Sequence, residues 1–191
     1  ALELYGEKEW KIPPAEALEK LLEFFTVRLK NQLVGQGNAT LLVEAVLNAD
    51  SRDVRGAMKR LEALKAYSEQ PGFAQTAMTF KRVANIVRKQ EQEEGVSYTG
   101  AYDAGKLADP AEKDLAKALE DMAAKSDALW EKGEYGELLC LAGTLRPAVD
   151  AFFDSVMVMV DDAALRRNRL ELLAAVLNRL GRLADFTALQ M

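Results

Sequence analysis

The sequence predicts an all-α fold, a single bundle of about seven or eight helices. Three observations lead there. Apolar residues recur at spacings of three and four along most of the chain, helix start and stop residues separate these stretches, and only Val156-Met-Val-Met-Val160 alternates with period two. After Pro13-Pro14, residues Leu18, Leu21, Leu22, Phe25 and Leu29 form one stripe of a helix ending near Leu33. Gly35-Gln-Gly37-Asn38 breaks it, and Thr40 is placed to cap a short apolar helix through Leu47. Ser51 is placed to cap a helix with Val54, Met58, Leu61 and Leu64 on one side. Pro71-Gly72 precedes a long helix from about Phe73 to Glu91, and Gly95 to Ala108, with Tyr98 and Tyr102, reads as a loop. Asp109, Pro110 and Glu112 then occupy N-cap, N1 and N3, a well-specified helix start. That helix bears Leu115, Leu119, Met122 and Leu129-Trp130 and stops at Gly133. Shorter helices follow from about Glu134 to Leu145 and from Pro147 through Phe152-Phe153. Asp161-Asp162 opens a last long helix to about Leu180, where Gly181 stops it, and a short turn falls at Asp185.

The chain has 191 residues, 49 % of them hydrophobic, enough to bury a proper core in one domain. It contains no His and one Cys. That removes the Ser-His-Asp triad, the Cys-His pair, His-ligated zinc, carboxylate–His diiron centres and any internal disulfide. Ser51 and Ser155 have no His to activate them, and there is no Gly-rich phosphate loop. Asp150 and Asp154 lie one helical turn apart but have no further ligand-type residue nearby, so they read as structural. Cys140, in Leu138-Leu-Cys-Leu-Ala142, reads as a small core residue. No run of 18 apolar residues indicates a membrane span, and the start has neither a basic nor an apolar leader region. The expectation is a piece of a longer cytoplasmic protein.

The net charge of −5 is unevenly spread. Residues 51–89 hold 9 basic and 3 acidic groups, whereas residues 90–137 hold 5 basic and 13 acidic groups. Local potential, rather than total charge, steers a polyanion, so the basic band is the first place to look for such contacts, the other reading being solvated helix faces whose charges cluster. Its members are Arg52, Arg55, Lys59, Arg60, Lys81, Arg82, Arg88 and Lys89. On the long helix Phe73–Glu91, the residues Phe73, Ala77, Phe80, Val83, Ala84 and Val87 share an apolar face. Beside it run Lys81, Arg82, Asn85, Arg88 and Lys89, like charges that repel at helical spacing unless something compensates them. A phosphate backbone would do so, and so would pairing with the acidic 90–137 segment. Arg166 and Arg167 fall outside the leucine stripe of the last helix and face solvent or RNA. Arg169 falls inside that stripe and must be paired if buried, with Asp154 or Asp150 as the expected carboxylate.

Three segments together resemble the C-terminal domain of the β subunit of bacterial heterotetrameric glycyl-tRNA synthetases. The first comprises Phe152-Phe-Asp-Ser-Val-Met-Val-Met159, Asp162-Ala-Ala-Leu-Arg166, Asn168-Arg-Leu170, Leu172-Leu173, Asp185-Phe186 and Leu189-Gln190. The second is Lys81-Arg-Val-Ala-Asn-Ile86, and the third is Phe24-Phe25, Arg28-Leu29 and Ala45-Val46-Leu47. The resemblance spans roughly residues 18–190 and places Met191 near a natural C-terminus. It implies an all-α anticodon-binding domain over residues 15–191, of the type named for an Asp-Ala-Leu-Arg tetrapeptide, with residues 1–14 a linker from a preceding part of the parent chain. The family's tetrapeptide is matched with one additional Ala. The resemblance further implies glycine tRNA, the rest of the β subunit and an α subunit as partners, without DNA or membrane. Glycylation with ATP would be the work mainly of the α chain, leaving this fragment non-catalytic and without a cofactor of its own. Glycine tRNAs have two cytosines in the anticodon, which call for donors and acceptors on the protein. Asn85 and the arginines are candidate donors, and the acceptors are not placed by the sequence. The alternative reading is a helical domain that docks on its parent chain or a partner subunit without touching RNA.

Overall fold

The computed structural model describes residues 12–189, and the start of the predicted linker, residues 1–11, lies outside them. Eight α-helices follow in order: α1 (Pro14–Gly35), α2 (Thr40–Ala49), α3 (Val54–Ser68), α4 (Phe73–Glu94), α5 (Pro110–Lys132), α6 (Tyr135–Gly143), α7 (Arg146–Ser155) and α8 (Ala163–Leu180). Short 3-10 turns stand at Ala104–Lys106 and Phe186–Ala188, and no strand occurs among the described residues.

Helix α4 is the central strut. Its predicted apolar face is inside, with Ala77, Phe80, Val83, Ala84 and Val87 buried, and it packs on α8 and on the C-terminal turn. Phe80 meets Phe186 of that turn edge-to-face at 5.4 Å between ring centroids. Helix α5 lies against α6, α7 and α8, and α3 lies against α2 and α6. Around α8 nearly every side is covered, so Asn168, Arg169 and Glu171 are buried alongside Leu170, Leu172, Leu173 and Val176.

The capping signals act locally as their chemistry requires. Asp109 and Glu112 form a reciprocal capping box at α5, in which Glu112 Oε2 accepts from the backbone N–H of Ala108 and Asp109. Asp162 accepts from the amides of Ala164 and Leu165 at α8, which holds its carboxyl below the usual range. At α3 the cap is Asp53, not Ser51, because Asp53 immediately precedes the helix and reaches the Gly56 amide at 2.9 Å. Thr40 is the first residue of α2, and Ala39 holds the cap position. The segment after α7 keeps its period-two alternation without a partner strand: Val156 and Val158 are buried and Met157 and Met159 are exposed.

Three apolar expectations fail. Cys140 is exposed, since α6 turns Leu138, Leu139 and Ala142 inward and leaves position 140 on its far side. Val54 and Met58 face solvent on α3. On α1 the predicted stripe is bare at Leu18, Leu21 and Phe25, the last 55 % exposed. Only the C-terminal part of α1 is engaged with α2, through Leu33, a Lys30–Glu44 ion pair and a Thr26–Ser51 hydrogen bond that ties it to the α2–α3 connection.

Candidate nucleic-acid interface

The solvent side of α4 presents the predicted basic face, and its neighbours convert it into a groove. Arg82 reaches across to α7, where its guanidinium carbon lies 4.0 Å from the centroid of the Phe153 ring. Lys81 donates to the Leu189 carbonyl at 3.2 Å, anchoring the end of the described chain beside the helix. Two adjoining hollows of about 460 and 480 Å³ share Arg82 and Ile86. One is bordered by Met78, Lys81, Asn85 and Leu189, the other by Phe153, Asp154, Met157 and Met159. The exposed thioethers can adapt their shape to a ligand. Asn85 is exposed at the first hollow and Asp154 at the second.

Farther along α4, Arg88 donates to Thr187 Oγ1 at 2.6 Å and to Asp185 Oδ1 at 3.2 Å while remaining half exposed. Burial works against ionisation of Asp185, but hydrogen bonds from the Thr187 hydroxyl and amide and the nearby Arg88 outweigh it, and the carboxyl stays below its ordinary range. Lys89 is exposed and faces Glu93 at 3.7 Å, the one member of the band paired with the acidic 90–137 segment among the described residues. The acidic segment therefore leaves most of the band uncompensated.

The other predicted positions separate. Arg52, Arg55 and Lys59 are exposed at the start of α3 and form no ion pair among the described residues. Arg60 does not belong to the exposed band: it is 3 % accessible, and its guanidinium donates to the carbonyls of Asp50 and Arg182. One helical turn beyond Gly56 and Ala57, its position faces the core side of α3, which sequence charge counting does not register. Arg166 is largely covered, donating to the Val160 carbonyl at 2.7 Å with Glu94 3.8 Å away, so it acts as a strut for the 156–160 segment. Arg167 is exposed and lies 3.9 Å from Glu171. Arg169 is buried and paired as expected, but with Glu112 at 2.5 Å, and it also donates to the Met157 carbonyl. Asp154 is exposed and Asp150 instead receives Thr79 and Arg146, so neither is the partner. Both carboxylates sit on the α7 side of the molecule, while Arg169 points to the start of α5.

Sequence reasoning missed Phe153, Met157 and Met159 as groove residues. The signal was present in the alternation of Val156–Val160, which leaves methionines outward wherever valines go inward. Among the described residues no group of three metal-ligand side chains converges, and no helix is long and apolar enough to cross a membrane.

An all-α domain whose basic helix face borders an arginine-on-aromatic groove has the make-up of a helical RNA-recognition domain. Residues 76–190 match the DALR anticodon binding domain, and the chain belongs to that family. Over its whole length it is 58 % identical to the glycine–tRNA ligase beta subunit of Oleidesulfovibrio alaskensis (strain G20), of which it covers 27 %. It is 57 % identical over 196 aligned residues to the beta subunit of Nitratidesulfovibrio vulgaris (strain Miyazaki F), covering 28 % of that protein. The Lawsonia intracellularis beta subunit is 37 % identical over 182 residues, which is 95 % of this chain and 26 % of the relative. The chain thus spans about a quarter of the length of these relatives.

Proposed function

We propose that this domain binds the anticodon arm of glycine tRNA as part of a glycine–tRNA ligase β subunit, and that it positions the tRNA for ATP-dependent glycylation performed mainly by an α subunit. The observation that carries the reading is the groove beside α4, where cations, a stacking plane and both kinds of hydrogen-bonding group converge. Lys81 and Lys89 hold phosphates, which sets register without reading sequence. The Arg82 guanidinium, backed by Phe153, offers a plane on which an unstacked base can lie. In this reading Asn85 donates to a cytosine carbonyl, and the exposed Asp154 carboxylate is the candidate acceptor for a cytosine amino group.

The fragment itself is non-catalytic in this reading and needs no cofactor. Titrating the chain with glycine tRNA and with the same tRNA carrying a changed anticodon tests the recognition step, with tighter binding of the former expected. A glycine-dependent ATP–pyrophosphate exchange assay on the chain alone is expected to show no exchange. Protein docking finds its own support on a different element: the bare Leu18, Leu21, Phe24 and Phe25 face of α1 suits the rest of a β subunit, leaving the α4 face to RNA.

A further inference from the structure

A second groove lies between the C-terminal half of α5, the end of α8 and the α2–α3 connection. Its main hollow, about 790 Å³, is lined by Asn48, Arg52, Arg60, Trp130, Asn178 and Arg182. Trp130, Asn178 and Arg182 also line an adjoining hollow of about 410 Å³, so the two are continuous.

The electrostatics of this groove are unbalanced. Arg60 is buried, yet among the described residues its guanidinium meets only the carbonyls of Asp50 and Arg182, and its Nε has no hydrogen-bond partner. The Asp50 carboxylate is engaged with the Arg52 amide instead. A buried cation ordinarily has a carboxylate, as Arg169 has Glu112; Arg60 has none among the described residues. Arg179 and Arg182 share one carboxylate, Asp127, at 3.8 Å each, and Arg52 adds an exposed charge at the rim. Around the two hollows the four arginines Arg52, Arg60, Arg179 and Arg182 face the carboxylates of Asp50, Glu120 and Asp127, which leaves a net positive charge for a further anion to meet.

It also has a planar platform. The Arg182 guanidinium carbon sits 4.1 Å from the Trp130 ring centroid, and the side chain is still 51 % exposed. The guanidinium lies over the indole, and half of the side chain stays accessible for a second flat group. Arg82 on Phe153 has the same construction. Phosphate chemistry next to a stacking plane, with the Asn48 and Asn178 amides alongside, is what a ribonucleotide requires.

We propose that this groove is a second RNA contact, taking a phosphodiester against Arg52 and Arg60 and an unstacked base of the same strand on Arg182. The inference rests on the RNA reading of the α4 face but concerns a separate site. The test uses the 191-residue chain with Trp10→Phe, which leaves Trp130 as the sole indole. Glycine tRNA is titrated while Trp130 emission and RNA anisotropy are followed together. The expected result is an emission change that saturates with the anisotropy. Arg182→Lys keeps the charge and loses the plane, so it should weaken binding roughly five- to hundredfold, the range for one stacked base, without altering the salt slope. Arg52→Ala should instead make the slope shallower by about 0.7 to 0.9. Both side chains are exposed, and unchanged far-UV circular dichroism verifies that the variants fold. Binding that needs Lys81 yet leaves Trp130 emission, Arg52→Ala and Arg182→Lys without effect would overturn this inference and spare the α4 reading. An oligoglutamate peptide that displaces the RNA from Trp130 at equal concentration would also overturn it, by assigning the groove to protein. No binding of any tRNA to the unaltered chain would overturn both.

Discussion

Replacing Arg169 by Ala removes the only cation paired with Glu112 among the described residues. The carboxylate of Glu112 has no solvent exposure, and it would retain two of its three hydrogen bonds, from the amides of Ala108 and Asp109 at 2.6 and 2.9 Å. The Met157 carbonyl would lose its donor at 2.8 Å as well. Breaking a buried pair by removing one partner costs about 3–5 kcal/mol. The two amides that remain on Glu112 put the expectation at the lower end, about 3 kcal/mol. For a domain of this size that lowers the melting temperature by about 6 to 12 °C. Urea denaturation of the wild-type, Arg169→Ala, Glu112→Gln and double-variant chains measures it. The double variant should be less destabilised than the sum of the singles, by a coupling of about 1–3 kcal/mol. A loss below about 1 kcal/mol for Arg169→Ala, or strict additivity in the cycle, would refute the view that this pair locks α8 to the start of α5.

Gly100 has φ +81°, and a Cβ there would stand 2.8 Å from Asn178 Nδ2 and 3.0 Å from the Ala175 Cα. Gly100→Ala should therefore cost about 1–3 kcal/mol, read from the shift in urea midpoint. Tyr98 is pushed up to about 12 by burial and by its hydrogen bond to Glu94. Because the folded value lies above the unfolded one of about 10, the stability it contributes is complete below pH 10 and is lost as pH rises through 12. Tyr98→Phe should flatten that alkaline decline in thermal melts between pH 9 and 12. Lys81→Ala should weaken all tRNAs about equally and reduce the salt slope by somewhat less than one unit, measured by anisotropy over a salt series.

Much of the fold was legible because helix periodicity and capping are local. The α5 start was readable from Asp109, Pro110 and Glu112, and the α4 core face from Phe80, Val83 and Val87. The caps expected at Ser51 and Thr40 missed by one or two positions, and the larger failures are non-local. The α1 stripe at Leu18, Leu21 and Phe25 has the pattern of a buried face, but burial needs a neighbour, and no local pattern specifies one. The expectation that Arg169 is buried and paired was correct, because a charge inside a leucine stripe has few alternatives. Its partner was not legible, since Glu112 lies 57 residues away and reaches it only once α5 crosses α8. Counting charges grouped Arg60 with Arg52 and Lys81. The packing of α3 separates them, turning Arg60 inward while Arg52 stays at the surface. The arginine-on-ring stacks of Arg82 and Arg182 join segments distant in sequence, and beside the α4 basic face the period-two methionines were the local sign of the far wall of the first groove.

Whether the α4 groove reads RNA is decided by the salt dependence of tRNA binding at matched and changed anticodons. If about four cations touch phosphates, log K should fall against log salt with a slope of about −3 to −4. Glycine tRNA should bind more tightly than the anticodon-changed tRNA across the series, and Asn85→Ala should erase that preference with the slope nearly unchanged. A flat salt dependence, or equal binding of both tRNAs by the unaltered chain, would contradict RNA reading by this groove.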